Sequence, residues 1–359
     1  MPAPTTVTTY TLAELGWNNF FLQQLSLEEL ASCQPARVAQ QHKSELQVLT
    51  EAGELTVRTP LLSESRLTVG DWLLLDDNSG VHRLLERATV FSRKAAGSKV
   101  DEQLIAANVD TLFIVCSMNK DFNLNRIERY LVLANDAGVE PLVLLTKADL
   151  CENQESVDNF VDQVQALDPF LTVIALNALD DEQKTKLAPW CKTGKTLAFL
   201  GSSGVGKSTL VNTLLGSGKQ STGGIREDDS KGHHTTTSRS LHVIPSDEIL
   251  AGIVLDTPGM RELQLANSEE GIEETFADIM QLATQCRFGD CDHDSEPGCA
   301  VQAAIGTDEL PLRRLQSFQK LQREDLRNSA SLAEKRESDK KLQKYYSSVQ
   351  ASSRRLKNR

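Results

Sequence analysis

The sequence predicts a multidomain protein with a small all-β, OB-like barrel, an α/β domain and a mainly helical C-terminal domain. Three observations predict this fold class. Short β-prone runs separated by turn residues fill 36–94, apolar strands alternate with helix-length segments after residue 110, and three cysteines and a histidine interrupt a helical C-terminal region. At 359 residues the chain is long enough for two or three domains, and an apolar content of 40% suffices for their cores.

The first 35 residues predict a flexible leader with one short helical piece around "LAELGWNNFFLQQL". Residues 36–97 then hold the β-prone runs "SELQVLT", "GELTVRTP", "RLTVGDWLLLD" and "GVHRLLERATVF". A five-strand OB barrel fits this length, but periodicity does not distinguish it from an SH3-like barrel.

Residues 98–272 predict the α/β domain, with strands in "TLFIVCS", "PLVLLT", "LTVIAL" and "TLAFLG". Apolar strands separated by helices indicate a parallel sheet covered on both faces. One predicted helix, "NLNRIERYLVLANDAG", has Asn125 as its expected N-cap and Gly138 beyond its end. Residues 273–359 predict the helical C-terminal domain, which ends in a basic tail.

Charge and hydropathy limit the classes of function. No run approaches the roughly 18 apolar residues of a membrane span, and the N-terminus lacks the layout of a secretory signal, so we expect a cytoplasmic protein with no membrane partner. The net charge of −12 disfavours a polyanionic partner for the chain as a whole. The segment from residue 335 onward, however, contains nine Lys and Arg residues and only two acidic residues. This +7 tail is either a nucleic-acid-binding arm or a solvated C-terminus.

The segment "GSSGVGKST" fits the phosphate-binding pattern G-x-x-x-x-G-K-[ST] and lies between a predicted strand and a predicted helix. Its glycines let backbone N–H groups converge on phosphate oxygens, and the helix N-terminus adds partial positive charge. We expect Lys207 to reach the β- and γ-phosphates and the Ser208 hydroxyl to bind Mg²⁺. The expected nucleotide-binding residues of this loop are Gly201, Ser202, Ser203, Gly204, Val205, Gly206, Lys207, Ser208 and Thr209.

The segment "VLDTPGM" matches the D-x-x-G element of GTPases. In that interpretation Asp256 would hold Mg²⁺ through water, and the Gly259 N–H would sense the γ-phosphate. An Asp-Pro-Gly turn after a strand is common by itself, so this motif indicates a GTPase only in combination with the other nucleotide-binding motifs.

The segment "TKAD" is close to the Asn-Lys-x-Asp that GTPases use to read guanine; its residues are Thr146, Lys147, Ala148 and Asp149. The Asp149 carboxylate would accept hydrogen bonds from guanine N1–H and from the exocyclic amine, whereas adenine presents an acceptor at N1. After the next predicted strand come Asn177 and Ala178, where a small residue would let a backbone N–H reach guanine O6.

The order of these motifs differs from that of an ordinary GTPase, in which the phosphate loop comes first. Here the base reader (146–149) and base support (177–178) precede the phosphate loop (201–209) and the switch segments (about 220–237, then 256–260). The sequence therefore predicts a circularly permuted P-loop GTPase domain, which a parallel sheet tolerates if the original termini lie close together.

The C-terminal cluster "CRFGDCDHDSEPGC" has the spacing C-x4-C-x-H-x5-C. Three thiolates and one imidazole form a closed tetrahedral set for one structural Zn²⁺, and the alternative is a loop of reduced free cysteines. The expected metal ligands are Cys286, Cys291, His293 and Cys299.

On the phosphate loop, the Asp-x-Pro-Gly switch and the zinc spacing, the sequence resembles the circularly permuted, ribosome small-subunit-dependent GTPases of the RsgA (YjeQ) family over nearly its whole length. The resemblance implies an OB domain, a permuted GTPase domain and a zinc-binding C-terminal domain. It also implies hydrolysis of GTP to GDP, stimulated by the 30S ribosomal subunit, late in the assembly of that subunit. The implied partners are the 30S subunit, 16S rRNA and Mg²⁺ with GTP, and we expect a monomer.

Two departures from the family pattern concern the site. Thr146 stands where the family usually has Asn and offers a shorter side chain to guanine N7 or to the phosphate loop. In "SKGHHTTT", His233 replaces an Arg, whereas His234, Thr235 and Thr236 are retained.

The catalytic group is expected in the first switch. Met260 occupies the position where many GTPases have a water-orienting Gln, so His234 is the candidate catalytic residue, and Thr235 or Thr236 should bind Mg²⁺. In the alternative interpretation His234 contacts RNA or solvent.

Three functions are compatible with this pattern. The first is a GTP-hydrolysing assembly factor for the 30S subunit, the second a nucleotide-gated RNA-binding checkpoint with incidental hydrolysis, and the third a zinc-dependent RNA-processing enzyme. The closed set of four ligands argues against the third, because it leaves no open metal position. Turnover with and without 30S subunits distinguishes the first two.

Overall fold

The computed structural model describes residues 8–42, 44–59, 67–94, 102–180, 185–216, 239–245, 250–256, 260 and 263–329. Its strands are β1 (Gln34–Gln41), β2 (Glu45–Thr50), β3 (Gly53–Arg58), β4 (Trp72–Leu75), β5 (Val81–Leu84), β6 (Val90–Lys94), β7 (Glu102–Ala107), β8 (Thr111–Ser117), β9 (Glu140–Thr146), β10 (Thr172–Ala175), β11 (Thr196–Leu200), β12 (Ser240–Val243) and β13 (Ile253–Asp256). Its helices are α1 (Asn19–Leu22), α2 (Leu27–Ser32), α3 (Leu124–Asp136), α4 (Gln154–Gln165), α5 (Lys207–Leu215), α6 (Glu269–Thr275), α7 (Ala277–Ala283), α8 (Ala300–Gly306) and α9 (Leu312–Ser329). No helix within these ranges combines the length and apolarity needed to cross a bilayer.

The N-terminal β region has the strand order β3–β2–β1–β4–β5, because β4 returns to pair with β1 after the β1–β2–β3 meander. This pairing is that of an OB-like barrel and favours it over the SH3-like alternative. Inward-facing residues of the strands form the barrel core, and β4 is buried on both of its faces. The buried core residues here are Ala36, Val38, Leu46, Val48, Val57, Leu67, Leu73 and Leu75.

The prediction of a flexible leader is wrong for residues 8–33. The Trp17 and Phe21 rings lie 4.9 and 5.7 Å from the Trp72 ring, measured between centroids, and Leu15 is fully buried. The aromatic cluster joins residues more than 50 positions apart, so local sequence does not reveal it.

Arg37 connects the leader, the barrel and the α/β domain. Its side chain is 1% exposed, and burial lowers the pKa of the guanidinium to about 10. It donates hydrogen bonds to Leu15 O at 2.5 Å, Asn108 O at 3.0 Å and Thr196 Oγ1 at 2.8 Å. Thr196 is the first residue of β11, so this contact fixes the barrel against the start of the strand that leads to the phosphate loop.

Replacing Arg37 by Met should lower the free energy of unfolding by about 3 kcal/mol, because the buried acceptors lose their donors while the apolar stem is kept. Chemical denaturation monitored by tryptophan fluorescence measures this change. The matched control is Arg58→Met on β3, where the arginine is exposed and a shift below about 0.5 kcal/mol is expected. Equal unfolding midpoints for the two variants would show that the Arg37 contacts contribute nothing net.

The central sheet has the order β10–β9–β8–β11–β13–β12. Its first five strands are mutually parallel, as predicted, whereas β12 runs antiparallel to β13. The sheet then continues into the barrel, because β1 pairs with β12 at Gln40 and Ser240. The sheet is therefore mixed, and the barrel extends its edge.

Helix α3 begins two residues earlier than the sequence suggested. Its N-cap is Asn123, whose side chain accepts from the Arg126 N–H, so the expectation of Asn125 as the cap is wrong. Both asparagines are good N-caps by type, and only the local backbone distinguishes them. Gly138 follows the helix with φ of 68°, as expected of a glycine beyond a helix end.

The helical C-terminal domain packs on α3 through a buried ion-pair network. Glu128 is fully buried and accepts from Arg313 and Arg314, each at 2.9 Å. Arg314 also pairs with Asp278 at 2.8 Å and lies over the Phe276 ring at 4.6 Å. The ion-pair partners satisfy charges that would otherwise be costly to bury.

Candidate functional site

The predicted motifs meet at one edge of the sheet. Parallel pairing aligns Ser117 with Thr146, so β8 and β9 end at the same level. Leu200 pairs with Ile114, so β11 ends three residues earlier at the same edge of the sheet. The phosphate loop, the base reader and the base support each follow the carboxyl end of one of these parallel strands or of the neighbouring β10. That edge is where open α/β sheets bind ligands.

The phosphate loop has backbone geometry that requires glycine. Gly204 and Gly206 have φ of 74° and 99°, and a Cβ on Gly201 would lie 2.3 Å from Val115 O. Helix α5 begins at Lys207, whose Nζ donates to Gly201 O at 2.9 Å and also to Ser202 O. The lysine is 9% exposed and is thus held across the loop mouth at the helix N-terminus.

The remaining residues of the loop differ in their accessibility. Val205 is buried at 1% exposure and anchors the loop in the core. Ser203, Gly204 and Ser208 are exposed, and Thr209 is half-buried. The Ser208 hydroxyl, in the first turn of α5, is therefore accessible to a ligand.

The base reader contacts the phosphate loop directly. The Thr146 side chain is fully buried, and its Oγ1 donates to Val205 O at 2.6 Å. Thr146 therefore keeps a link to the phosphate loop although it replaces the usual Asn. The next residue, Lys147, has a left-handed φ of 63°, and a short 3₁₀ turn over Ala148–Leu150 then leaves Asp149 exposed.

The base-support segment completes the same group of contacts. Ala148 N donates to Leu176 O at 3.4 Å, which joins the base reader to the strand end before Asn177. Thr213 Oγ1, on α5, donates to Ala178 O at 3.5 Å. The structure thus brings together all three of the predicted base and phosphate segments.

The two switch segments are described only in part. Asp256 ends β13 and is half-buried at the same sheet edge. The other expected switch residues, His234, Thr235, Thr236 and Gly259, lie outside the described residues, as does the basic tail. Met260 is described and is 1% exposed within the core, so its side chain does not face a nucleotide.

Sequence reasoning missed Arg126 as a neighbour of the phosphate loop. Its Nη1 donates to Ser202 Oγ at 2.9 Å from the first turn of α3. Arg126 belongs to no motif. The available signal was its position just after a strand that ends at the same sheet edge as the loop.

The expected metal ligands form one cluster. The ligand atoms of Cys286, Cys291, His293 and Cys299 all lie within 4.8 Å of one another. Measured distances are 3.7 Å from His293 Nδ1 to Cys286 Sγ, 3.5 Å to Cys299 Sγ, and 3.9 Å between those two sulfurs. Zn–S and Zn–N bonds of about 2.3 and 2.0 Å at tetrahedral angles require roughly 3.5–3.8 Å between ligand atoms, so the donor set fits a tetrahedral ion.

The start of helix α8 favours the thiolate form of Cys286, whereas burial raises the pKa of Cys291 to about 11. Cys299 is the N-cap of α8, and its Sγ accepts from the Gln302 N–H at 3.4 Å. Burial opposes ionisation of Cys286, but the backbone N–H groups of Ala300 and Val301 outweigh it and lower the pKa of this thiol. The cluster can therefore hold a cation that prefers sulfur and nitrogen ligands.

Comparison with known proteins agrees with this geometry. A family model described as RsgA GTPase matches residues 84–266. The small ribosomal subunit biogenesis GTPase RsgA 2 of Vibrio parahaemolyticus is 54% identical over 348 residues, which cover 97% of this chain and 95% of that protein. The small ribosomal subunit biogenesis GTPase RsgA of Mesorhizobium japonicum is 47% identical over 329 residues, which cover 90% and 92%.

Two solved structures share the fold. YjeQ from Thermotoga maritima has a TM-score of 0.58 at 23% identity and covers 80% of this chain and 97% of its own. YloQ, described as a circularly permuted GTPase, has a TM-score of 0.56 at 22% identity and covers 80% and 93%. These likenesses confirm the predicted fold class, including the permuted order of strands and motifs. The sequence identity over almost the whole chain shows that this protein belongs to the RsgA GTPase family.

Proposed function

We propose that the protein is a GTP hydrolase that binds the 30S ribosomal subunit, assists its late maturation and is stimulated by it. The observation that carries this proposal is the 2.6 Å hydrogen bond from Thr146 Oγ1 to Val205 O, which joins a guanine-reading segment to a phosphate loop at one sheet edge. The relatives at 47–54% identity are named for biogenesis of the small ribosomal subunit, which supports that partner.

The residues at this edge have different roles in binding and hydrolysing the nucleotide. Lys207 binds the β- and γ-phosphates, and backbone N–H groups of 201–209 surround them. Ser208 and Asp256, with Thr235 or Thr236, would hold Mg²⁺, which neutralises charge on the phosphates when bound. Because Met260 is buried, orientation of the attacking water falls to another group, and His234 is the candidate.

Several finer assignments accompany this proposal. The metal of the Cys₃His cluster is one structural Zn²⁺, since four protein ligands leave no open position. The basic tail contributes to contact with 16S rRNA, and the protein acts as a cytoplasmic monomer. The domains are the leader 1–35, the barrel 36–97, the permuted GTPase domain 98–272 and the zinc-binding domain 273–359.

The test of this function is GTP turnover by the full chain during a titration with purified 30S subunits. We expect slow basal hydrolysis and a saturable increase of at least tenfold, with Lys207→Ala as the inactive control. Saturable 30S binding without any increase in turnover would support the nucleotide-gated checkpoint instead. Absence of both binding and stimulation would reject the ribosomal function.

Replacing Asp149 by Asn should weaken GDP binding by about 100-fold or more, because two hydrogen bonds to a charged acceptor are lost. Binding of xanthosine diphosphate should improve, since its C2 carbonyl accepts from the new amide. Competition with a fluorescent nucleotide measures both affinities. Asp158→Asn, an exposed carboxylate on α4, is the matched control, and unchanged guanine selectivity in Asp149→Asn would remove Asp149 from the base site.

Replacing Thr146 by Val should weaken GDP binding about tenfold, because the base reader loses its hydroxyl link to Val205 O while its shape is kept. Thr146→Ser retains the hydroxyl and should stay close to the wild type. The same competition assay applies. Equal affinities for the Val and Ser variants would mean that this hydrogen bond does not position the base reader.

A further inference from the structure

The loop that carries His293 is organised around one carboxylate. Glu296 Oε1 accepts from Asp292 N at 3.1 Å, and Oε2 accepts from Asp294 N at 3.0 Å and Ser295 N at 3.1 Å. These three N–H groups come from the residues on both sides of His293.

His293 needs such support because its backbone is strained. It has φ of 57°, in the left-handed region that disfavours a residue with a Cβ. Its carbonyl oxygen accepts from Gln302 Nε2 at 2.6 Å, so the segment is also held from α8. With both neighbours of His293 fixed by Glu296, the ring places Nδ1 at 3.5 and 3.7 Å from two of the sulfurs.

We propose that Glu296 is a positioning residue of the metal site, whose carboxylate holds the loop 292–296 so that His293 Nδ1 completes the ligand set. Glu296 does not ligate the metal, since both of its oxygens are occupied by backbone donors and the Cys₃His cluster already supplies four ligands. This inference rests on the proposed metal site and is independent of GTP hydrolysis.

The alternative explanation is charge alone, because any acidic residue near the cluster attracts a cation. The loop offers a direct comparison in Asp294, an exposed carboxylate one residue from His293. A general electrostatic effect predicts similar losses from Glu296→Ala and Asp294→Ala. Positioning predicts a loss from Glu296→Ala alone, since only that carboxylate gathers the three N–H groups.

The experiment measures metal binding by the full chain, stripped of metal and kept reduced. Zn²⁺ affinity is obtained by competition with a chromophoric chelator, and Co²⁺ provides absorption bands that report tetrahedral geometry and thiolate ligation. We expect Glu296→Ala to weaken Zn²⁺ binding by about 10- to 100-fold, and Asp294→Ala by less than about twofold. We also expect the Co²⁺ bands of Glu296→Ala to shift or broaden as the imidazole loses its fixed position.

A second variant keeps the test decisive if Glu296→Ala does not fold. Glu296→Gln retains one oxygen, which can still accept from Asp294 N and Ser295 N, and should give an intermediate affinity. The positioning role would be overturned if both Glu296→Gln and Glu296→Ala bound Zn²⁺ with wild-type affinity. It would also be overturned if Glu296→Ala and Asp294→Ala lost the same amount of affinity. If the wild-type chain itself binds neither Zn²⁺ nor Co²⁺, the metal site fails, and this inference fails with it.

Discussion

Lys207→Ala is expected to remove 30S-stimulated GTP hydrolysis almost completely, with a fall in turnover of about two to three orders of magnitude. The Lys207 ammonium is held by Gly201 O at 2.9 Å and by Ser202 O, so its charge lies across the mouth of the phosphate loop. It is 9% exposed, and its charge therefore acts in a weakly screened environment. Alanine leaves the loop backbone in place but removes the cation that faces developing charge on the phosphates.

The measurement is phosphate release at saturating 30S subunits, together with GDP affinity. Lys192→Ala is the matched control, because it removes an exposed lysine close to the start of β11 without touching the loop. That control should retain wild-type turnover. Turnover within a factor of two of wild type in Lys207→Ala would place the phosphates elsewhere and would overturn the assignment of this site.

Cys291→Ala is expected to abolish stoichiometric metal binding and to unfold the region around α8. Structural zinc sites contribute about 10–16 kcal/mol of apparent binding free energy to the folded state, far more than the few contacts of a short helix can replace. The remaining three ligands leave one tetrahedral position open, so they hold the ion less tightly than the full set of four. The effect should be local, because the Glu128–Arg314 pair at 2.9 Å still binds α9 to α3.

Metal analysis of freshly purified protein should show one zinc per chain in the wild type and less than about 0.1 in Cys291→Ala. Limited proteolysis should cut the variant near residues 286–306 while the GTPase domain persists. Cys33→Ala removes a thiol outside the cluster and should leave both results unchanged. A full zinc content in Cys291→Ala would show that Cys291 is not a ligand.

The motifs that could be predicted are those formed by residues close together in the sequence. The phosphate loop needs glycines at fixed offsets from Lys207, and Gly204 and Gly206 indeed have positive φ. The metal set follows the same logic, since four ligand residues within fourteen positions can close on one ion. Strand positions followed from apolar runs for the same local reason.

The features that escaped prediction depend on residues far apart in the chain. The leader packs through Trp17 on Trp72, and Arg37 reaches Thr196 across 159 positions. The choice of Asn123 over Asn125 as the N-cap depended on backbone geometry that the two similar residues do not encode.

By itself the sequence determined the fold class and the nucleotide motifs with their permuted order, and it predicted the four members of the Cys₃His cluster. Only the tertiary structure decided that β1 extends the central sheet through β12, that Arg126 contacts the phosphate loop, and that Thr146 bonds to Val205. The physical reason is that a motif needs only the short-range geometry of one chain segment. A contact between segments depends on how whole elements pack, and many sequences satisfy the same packing.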